Sequence, residues 1–178
     1  MNERLAPSAL VARYAETIVR NADGISILDA ACGSGRNALA LAQLGAKVIC
    51  ADIDVSRIQD LPRDETLQEL TPLRIDLFVD PWPFANNFLG GVVNVHFMNP
   101  ALFPFFKKSI RRNGILLIET VPGCGGNYLQ LPNAGHLRNA FEQDFDFLLY
   151  QERKVGPRNS DAVVVKMVGR RKFDASHG

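Results

Sequence analysis

Residues 27–54 read ILDAACGSGRNALALAQLGAKVICADID, and the fold is decided here. The stretch opens in a short apolar run, residues 25–30, of the length and composition of a buried strand. Gly33-Ser34-Gly35 then turns the chain. Residues 37–44 carry apolar side chains at helical spacing, and Gly45 is placed to act as the left-handed C-cap of that helix. Residues 47–51 form a second apolar run that ends at Asp52. Strand, glycine turn, helix and strand in so short a span set a pattern that the rest of the chain repeats.

Upstream, residues 7–20 begin with Pro7 and Ser8 and place Leu10, Val11, Tyr14, Ala15, Ile18 and Val19 on one helical face, which Asp23-Gly24 terminates. Downstream, residues 54–70 are expected to cross over as a weak helix broken near Pro62. Residues 73–77 follow as a third strand and 80–87 as a proline-bearing loop. Residues 92–97 are expected as a fourth strand, 100–112 as a helix stopped by Asn113-Gly114, and 115–121 as a fifth strand. Residues 122–136 form a long Gly- and Pro-rich loop, and loops of that length in compact domains are usually functional or disordered. A short helix over 137–141 precedes two last strands, 145–151 and 162–168, whose short connection through Gly156-Pro157 dictates an antiparallel hairpin. Apolar strands alternating with helices are the signature of a parallel sheet covered on both faces. The expectation is a single α/β domain over residues 1–178, with an N-terminal helix (1–22), a core (23–170) and a tail (171–178). Its sheet is mostly parallel and seven-stranded, with an antiparallel C-terminal hairpin.

Composition agrees with one such domain. The 178 residues are 47% apolar and 22% charged, which is ordinary globular usage. Twenty Lys and Arg against nineteen Asp and Glu leave a formal charge of +1. That balance argues against an electrostatic grip on long nucleic acid. Cys32, Cys50 and Cys124 are odd in number and widely spaced, which suggests neither a disulfide framework nor a zinc site, and no metal is expected. The N-terminal stretch holds Glu3 and Glu16 with no long apolar run, unlike a signal peptide. No stretch reaches the roughly 18 apolar residues of a membrane helix. A cytoplasmic protein with neither membrane nor nucleic-acid partner is expected.

In open parallel sheets, ligands bind outside the carboxyl ends of the strands, where the strand order reverses. Strand one runs into Leu28-Asp29-Ala30-Ala31-Cys32-Gly33-Ser34-Gly35, strand two ends at Asp52 and strand three at Asp76. The three acids are 23 and 24 residues apart, one per strand–helix unit. Three neighbouring strand tips would span about 10 Å, room for an adenosine laid along the edge. A carboxylate only accepts hydrogen bonds and so selects donors. Asp52 suits a ribose diol, Asp76 an adenine amino group and Asp29 a cationic amine. Gly33-Ser34-Gly35-Arg36-Asn37-Ala38 also satisfies the dinucleotide pattern G-x-G-x-x-G/A, so a nicotinamide-dependent oxidoreductase is a second reading. Asp29 separates the two, because a pyrophosphate gains nothing from a carboxylate just before the glycines. A phosphate-free ligand with an ammonium group does, and S-adenosylmethionine (SAM) is such a ligand.

The stretch 27–54 resembles the first two motifs of the class I SAM-dependent methyltransferases. RIDLFVDPWPF (74–84) and VVNVHF (92–97) are similar to that family's third and fourth motifs. ILLIET (115–120) and GGNYLQLPNAGHL (125–137) resemble a subgroup of small bacterial methyltransferases related to the tellurite-resistance type. The resemblance runs from about residue 25 to about residue 168 and implies a Rossmann-like methyltransferase fold. It also implies SAM as cofactor and an enzyme that methylates a small molecule or small anion. Under it, Asp29, Gly33 and Gly35, with Ala30, Ser34 and Asn37 from the same turn, would line the methionine and ribose end. Asp52 and Ile53 would bracket ribose and adenine, Asp76 and Leu77 would meet adenine, and Asn94 and Val95 would border the sulfonium. Ala31 replaces the usual first glycine. His96-Phe97-Met98-Asn99-Pro100 stands where the subgroup shows a His-Arg-Pro or similar, and His136 where it prefers an acid.

Methyl transfer from a sulfonium is an in-line displacement in which alignment is the enzyme's main contribution. A base is needed only when the acceptor must lose a proton. A thiolate or chalcogen oxyanion would need none. The acceptor-side candidates are His96, Glu119 and Asn127, the last beside Tyr128 in a possible lid. A SAM-binding module without turnover is the non-catalytic alternative. Asp80-Pro81-Trp82-Pro83 and Asn99-Pro100-Ala101 do not match the D/N-P-P-aromatic turn of enzymes that methylate exocyclic amines, so no nucleobase substrate is expected.

Overall fold

The computed structural model describes residues 6–59, 69–121 and 131–173. Helix α1 (Ala9–Ala22) starts where the Ser8 hydroxyl accepts the Val11 N–H at 3.1 Å, satisfying one of the amides a helix start leaves open. Strand β1 (Ile27–Ala30) leads through the glycine turn into α2 (Arg36–Ala42), β2 (Val48–Asp52) and a short α3 (Ser56–Gln59). Then come β3 (Leu70–Arg74), β4 (Leu89–Val95), a 3-10 turn (Pro100–Leu102), α4 (Phe103–Ser109), β5 (Ile110–Glu119), α5 (His136–Phe141), β6 (Phe145–Lys154) and β7 (Val163–Arg171). The strands make one seven-stranded sheet in the order β3-β2-β1-β4-β5-β7-β6. Only β7 runs against the others, pairing antiparallel with both β5 and β6. The order reverses between β1 and β4, and both pairings of β1 are parallel.

Alternation along the strands sends side chains to two cores. Ile27, Val93, Ile115 and Leu117 face α1 and α2, joining Leu10, Val11, Ile18 and Leu41. Leu28, Val92, Leu116 and Ile118 face α4 and α5, joining Phe103, Phe106, Leu137 and Phe141. All seven residues of β4 are buried, as a central parallel strand must be. Trp82 is held under α4: its indole N–H donates to Ser109 Oγ at 2.7 Å and its ring stacks on Phe105. The two edges are blunted. β3 carries Pro72, and β6 ends in exposed Glu152, Arg153 and Lys154.

Two expected boundaries are corrected. The third strand lies over Leu70–Arg74 rather than 73–77. Ile75 and Leu77 are buried beneath the ladder's end, so the alternation of apolar residues continues after the pairing has stopped. Asp76 ends the strand by accepting the Phe78 N–H with its own carboxylate, 2.9 Å. The helix expected to reach residue 112 stops at Ser109, because Ile110 already pairs with Leu89 of β4. Asn113, with φ 66°, sits in the irregular step between that pair and Gly91↔Ile115. Part of the crossover expected over 54–70 falls outside the described residues.

Helix α1 lies antiparallel to the strands. Ala22 meets Gly90 at the start of β4, where a Cβ on the glycine would come within 2.8 Å of the Ala22 Cβ. At its other end, the Ser8 N–H donates to Asn37 Oδ1 at 2.9 Å, in the first turn of α2. Gly114 is tighter still, since a Cβ there would fall 2.6 Å from the Gly90 carbonyl. Gly114→Ala is expected to destabilise the protein by about 1–3 kcal/mol through overpacking. Gly45→Ala, with nothing within 4 Å and φ 83°, should cost only its left-handed backbone, about 1–2 kcal/mol. Urea unfolding of both variants checks the ranking: a Gly114→Ala midpoint at or above that of wild type would contradict the packing.

Candidate functional site

The carboxyl ends of β3, β2 and β1 lie side by side, with Asp52 the last residue of β2 and Asp76 two positions past the end of β3. The turn after β1 is built by backbone conformations that favour glycine. Gly33 and Gly35 have φ of 55° and 73°, and Ala31 also takes φ 56°. A left-handed alanine costs about 1–2 kcal/mol, so replacing the usual glycine by alanine introduces strain at the rim of the site. The turn is pinned to β2 twice. The Cys32 N–H donates to the Ala51 carbonyl at 3.0 Å, and the Gly33 N–H donates to Asp52 Oδ2 at 2.8 Å.

Asp52 therefore has a structural job. Its second oxygen accepts the Asp54 N–H at 3.1 Å. Each oxygen retains acceptor capacity, since a carboxylate offers about four lone-pair positions. Asp52, Ile53, Asp76 and Leu77 converge with Ala31, Ile75, Phe78 and Phe97 on one cleft of about 290 Å³. The Phe78 and Phe97 rings meet at 5.0 Å. Neither ring was singled out from the sequence. Phe97 sits two positions after the last residue of β4, and the only signal for Phe78 was its place directly after Asp76-Leu77.

Asp29 is buried in the sheet, 1% exposed, with Oδ2 accepting the Ala38 N–H at 3.1 Å. Burial pushes its carboxyl up to about 7, against the pull of the Ala38 N–H and the Arg36 charge, while the Asp52 charge adds to the rise. Ala30 is fully buried between Ala51 and Asn94. Ser34 is half-buried on the turn. Asn37 Oδ1 accepts the Ser8 N–H, which ties α1 to α2. The Cys32 thiol is pushed well up by its hydrogen bond with Cys50 and by burial, and a thiol so held is no nucleophile.

A second group gathers at the tips of β4 and β5. Asn94 and Val95 are buried, and Val95 pairs with Glu119. His96 takes φ 64° and donates its N–H to the Glu119 carbonyl at 2.8 Å. The residue is exposed as a whole, but partial burial of its ring and the Arg36 charge lower its pKa while Glu119 opposes them, which favours the neutral form at pH 7. Glu119 is 5% exposed, and Lys166 Nζ lies 3.3 Å from its Oε1. Asn94 Oδ1 and Glu119 Oε2 are buried with no hydrogen-bond partner among the described residues. The structure thus gathers Asp52, Ile53, Asp76 and Leu77 into one cleft, and Asn94, Val95, His96 and Glu119 at a neighbouring point of the same edge. Asn127 and Tyr128 lie outside the described residues. His136 is exposed at the start of α5, its ring 5.9 Å from Phe103. Among the described residues no His, Cys, Asp or Glu cluster could hold a metal ion, and no helix is long and apolar enough to cross a membrane.

No family model and no curated protein matches the sequence. Solved structures do match its fold. TehB from Haemophilus influenzae superposes with a TM-score of 0.64 at 20% identity over 91% of this chain, which spans 61% of the TehB chain. A geranyl diphosphate methyltransferase in complex with SAM gives 0.65 at 12% identity, over 90% of this chain and 85% of that one. The tRNA (m1A58) methyltransferase TrmI from Aquifex aeolicus gives 0.59 at 11% identity, over 97% and 72%. Strand order, the glycine turn at the point of reversal and the single antiparallel strand are thus those of a fold shared with SAM-dependent methyltransferases.

Proposed function

We propose that this protein is a SAM-dependent methyltransferase acting on a small molecule. The observation that carries the reading is Asp52. It ends β2 at the mouth of the cleft, fixes the glycine turn through the Gly33 N–H, and still has lone pairs for a ribose diol. Ile53 and Leu77 supply apolar surface for a purine, closed by Phe97, and Asp76 lies in the same lining. Asn94 Oδ1, buried and without a donor among the described residues, fits an ammonium or hydroxyl of the same ligand. A pyrophosphate fits less well. The Gly33 and Ala38 amides it would need at the turn already donate to carboxylates, which disfavours the nicotinamide reading.

The sulfonium supplies an activated methyl group; the chain supplies alignment. Asp52 and the cleft fix the nucleoside, and the glycine turn lets the backbone approach it. Asp29 faces the cationic end of the ligand, directly or through water. His96, neutral and held at a left-handed backbone by its N–H bond to Glu119, borders the acceptor side. The small-acceptor reading draws support from the geranyl diphosphate enzyme, and TrmI shows that the same fold also serves a tRNA enzyme.

Calorimetric titration with SAM, S-adenosylhomocysteine and NADH tests the cofactor. Heat with SAM or its product and none with NADH is expected, with affinity reduced at least about tenfold in Asp52→Ala, the scale of a lost hydrogen bond to a charged group. Heat from NADH alone would transfer the chain to the oxidoreductases. Asp29 gives a second test. Its folded pKa is raised from 3.8 to about 7, so the folded state holds the extra proton between those values. Stability from this group is full below the lower value and is lost as pH rises to the upper, a few kcal/mol in all. Asp29→Asn should therefore gain on wild type in thermal unfolding as pH rises through that window. A bound ammonium favours the ionised carboxylate, so SAM affinity should rise toward pH 7 in wild type and stay flat in Asp29→Asn. Equal slopes in the two proteins would remove Asp29 from the ligand's neighbourhood.

A further inference from the structure

Glu119 is the last residue of β5, and its side chain follows Leu117 onto the face of the sheet that carries the glycine turn and α1. Its direct neighbour in the ladder is Val95 on one side and Lys166 on the other. Lys166 is half-exposed and takes one carboxylate oxygen only, Oε1 at 3.3 Å. Oε2 is buried and has no donor among the described residues. Folded proteins keep few such atoms, because a buried charged acceptor without a donor is costly. A carboxylate oxygen can only accept, so whatever satisfies it must bring a hydrogen. The Val165 and Thr120 amides nearby are already spent: Thr120 N–H donates to the Val165 carbonyl, and Val165 N–H donates to Thr120 Oγ1.

We propose that Glu119 receives the acceptor: its free Oε2, at the tip of β5 beside Val95 and His96, takes the hydrogen bond and then the proton of an N–H or O–H nucleophile, so the acceptor is a neutral, proton-bearing molecule rather than an anion. This rests on the methyltransferase reading and narrows it. Glu119 accepts the proton as the nucleophile's bond to the methyl carbon forms and the sulfonium's bond to that carbon breaks, which leaves a neutral thioether. The carboxylic acid so formed gives its proton to water after product release. A thiolate or chalcogen oxyanion needs no such base, brings no hydrogen, and meets a like charge in a site of low polarity.

The test uses the full chain saturated with S-adenosylhomocysteine, in wild type, Glu119→Gln and Lys166→Ala. Four probes are titrated at mildly alkaline pH: aniline and benzimidazole, which are neutral and carry N–H, and selenite and thiophenolate, which are anions. Wild type should prefer the N–H probes by about tenfold or more, the scale of one hydrogen bond to a charged acceptor. Glu119→Gln should lose that preference. Lys166→Ala, which breaks the same ion pair but leaves the carboxylate, should retain it. Anions bound as well as the N–H probes, no binding of either N–H probe, or an equal loss in both variants overturns the assignment; the last would make the pair structural. If S-adenosylhomocysteine itself fails to bind wild type, the methyltransferase reading fails instead.

Discussion

A buried carboxyl group in the middle of the sheet, Asp29, holds the third amide of α2. The bond joins β1 directly to that helix, and the glycine turn lies between the two bonded residues. A free helix start leaves its first amides without partners, and here strand one itself supplies the cap across nine residues. The cost is a titratable group in a place that disfavours its charge. Asp52, one strand away, is in a wetter position and accepts two amides. The pair therefore divides the work: one acid sets the turn from beneath, and the other clamps it from the side and faces the cleft.

Both ends of the edge present acceptors. At the β2–β3 end, acceptors and aromatic rings surround a cleft suited to a donor-rich, flat ligand. At the β4–β5 end, Asn94 and Glu119 present acceptors from opposite faces of the sheet, since Asn94 shares a face with Val92 and Glu119 shares the other with Leu117. The edge as a whole asks its ligands for hydrogens. Phosphorylated or anionic molecules would find few free donors among the described residues that line it.

The glycine turn, Asp52 and the strand–helix alternation were legible because their causes are local. A turn needs glycine, a buried strand needs an apolar run, and both act within a few residues. Failures came where the deciding partner is distant. β3 was placed three residues late because Ile75 and Leu77 continue the apolar rhythm of an edge strand whose pairing has already ended at Asp52↔Arg74. The end of α4 was missed because Leu89 claims Ile110. The bond from the Ser8 N–H to Asn37 Oδ1, across twenty-nine residues, is likewise not legible in the turn's sequence. Glu119 could be named from the strand end, but Lys166, forty-seven positions later, could not be foreseen as its partner.

The strand order has a consequence for how the chain is assembled as it is synthesised. β6 is made before β7, yet β7 lies between β6 and β5. β6 therefore has no place in the sheet until the next strand exists. The opposite wait applies to α1. It is made first, but its Asn21 bonds the Asn113 carbonyl, ninety-two residues on. α2 can meet part of the apolar face of α1 early, but the rest waits for β4 and β5. Two elements at opposite ends of the chain thus finish docking late, and both close on β5. The strand that carries Glu119 is the one on which completion of the fold converges.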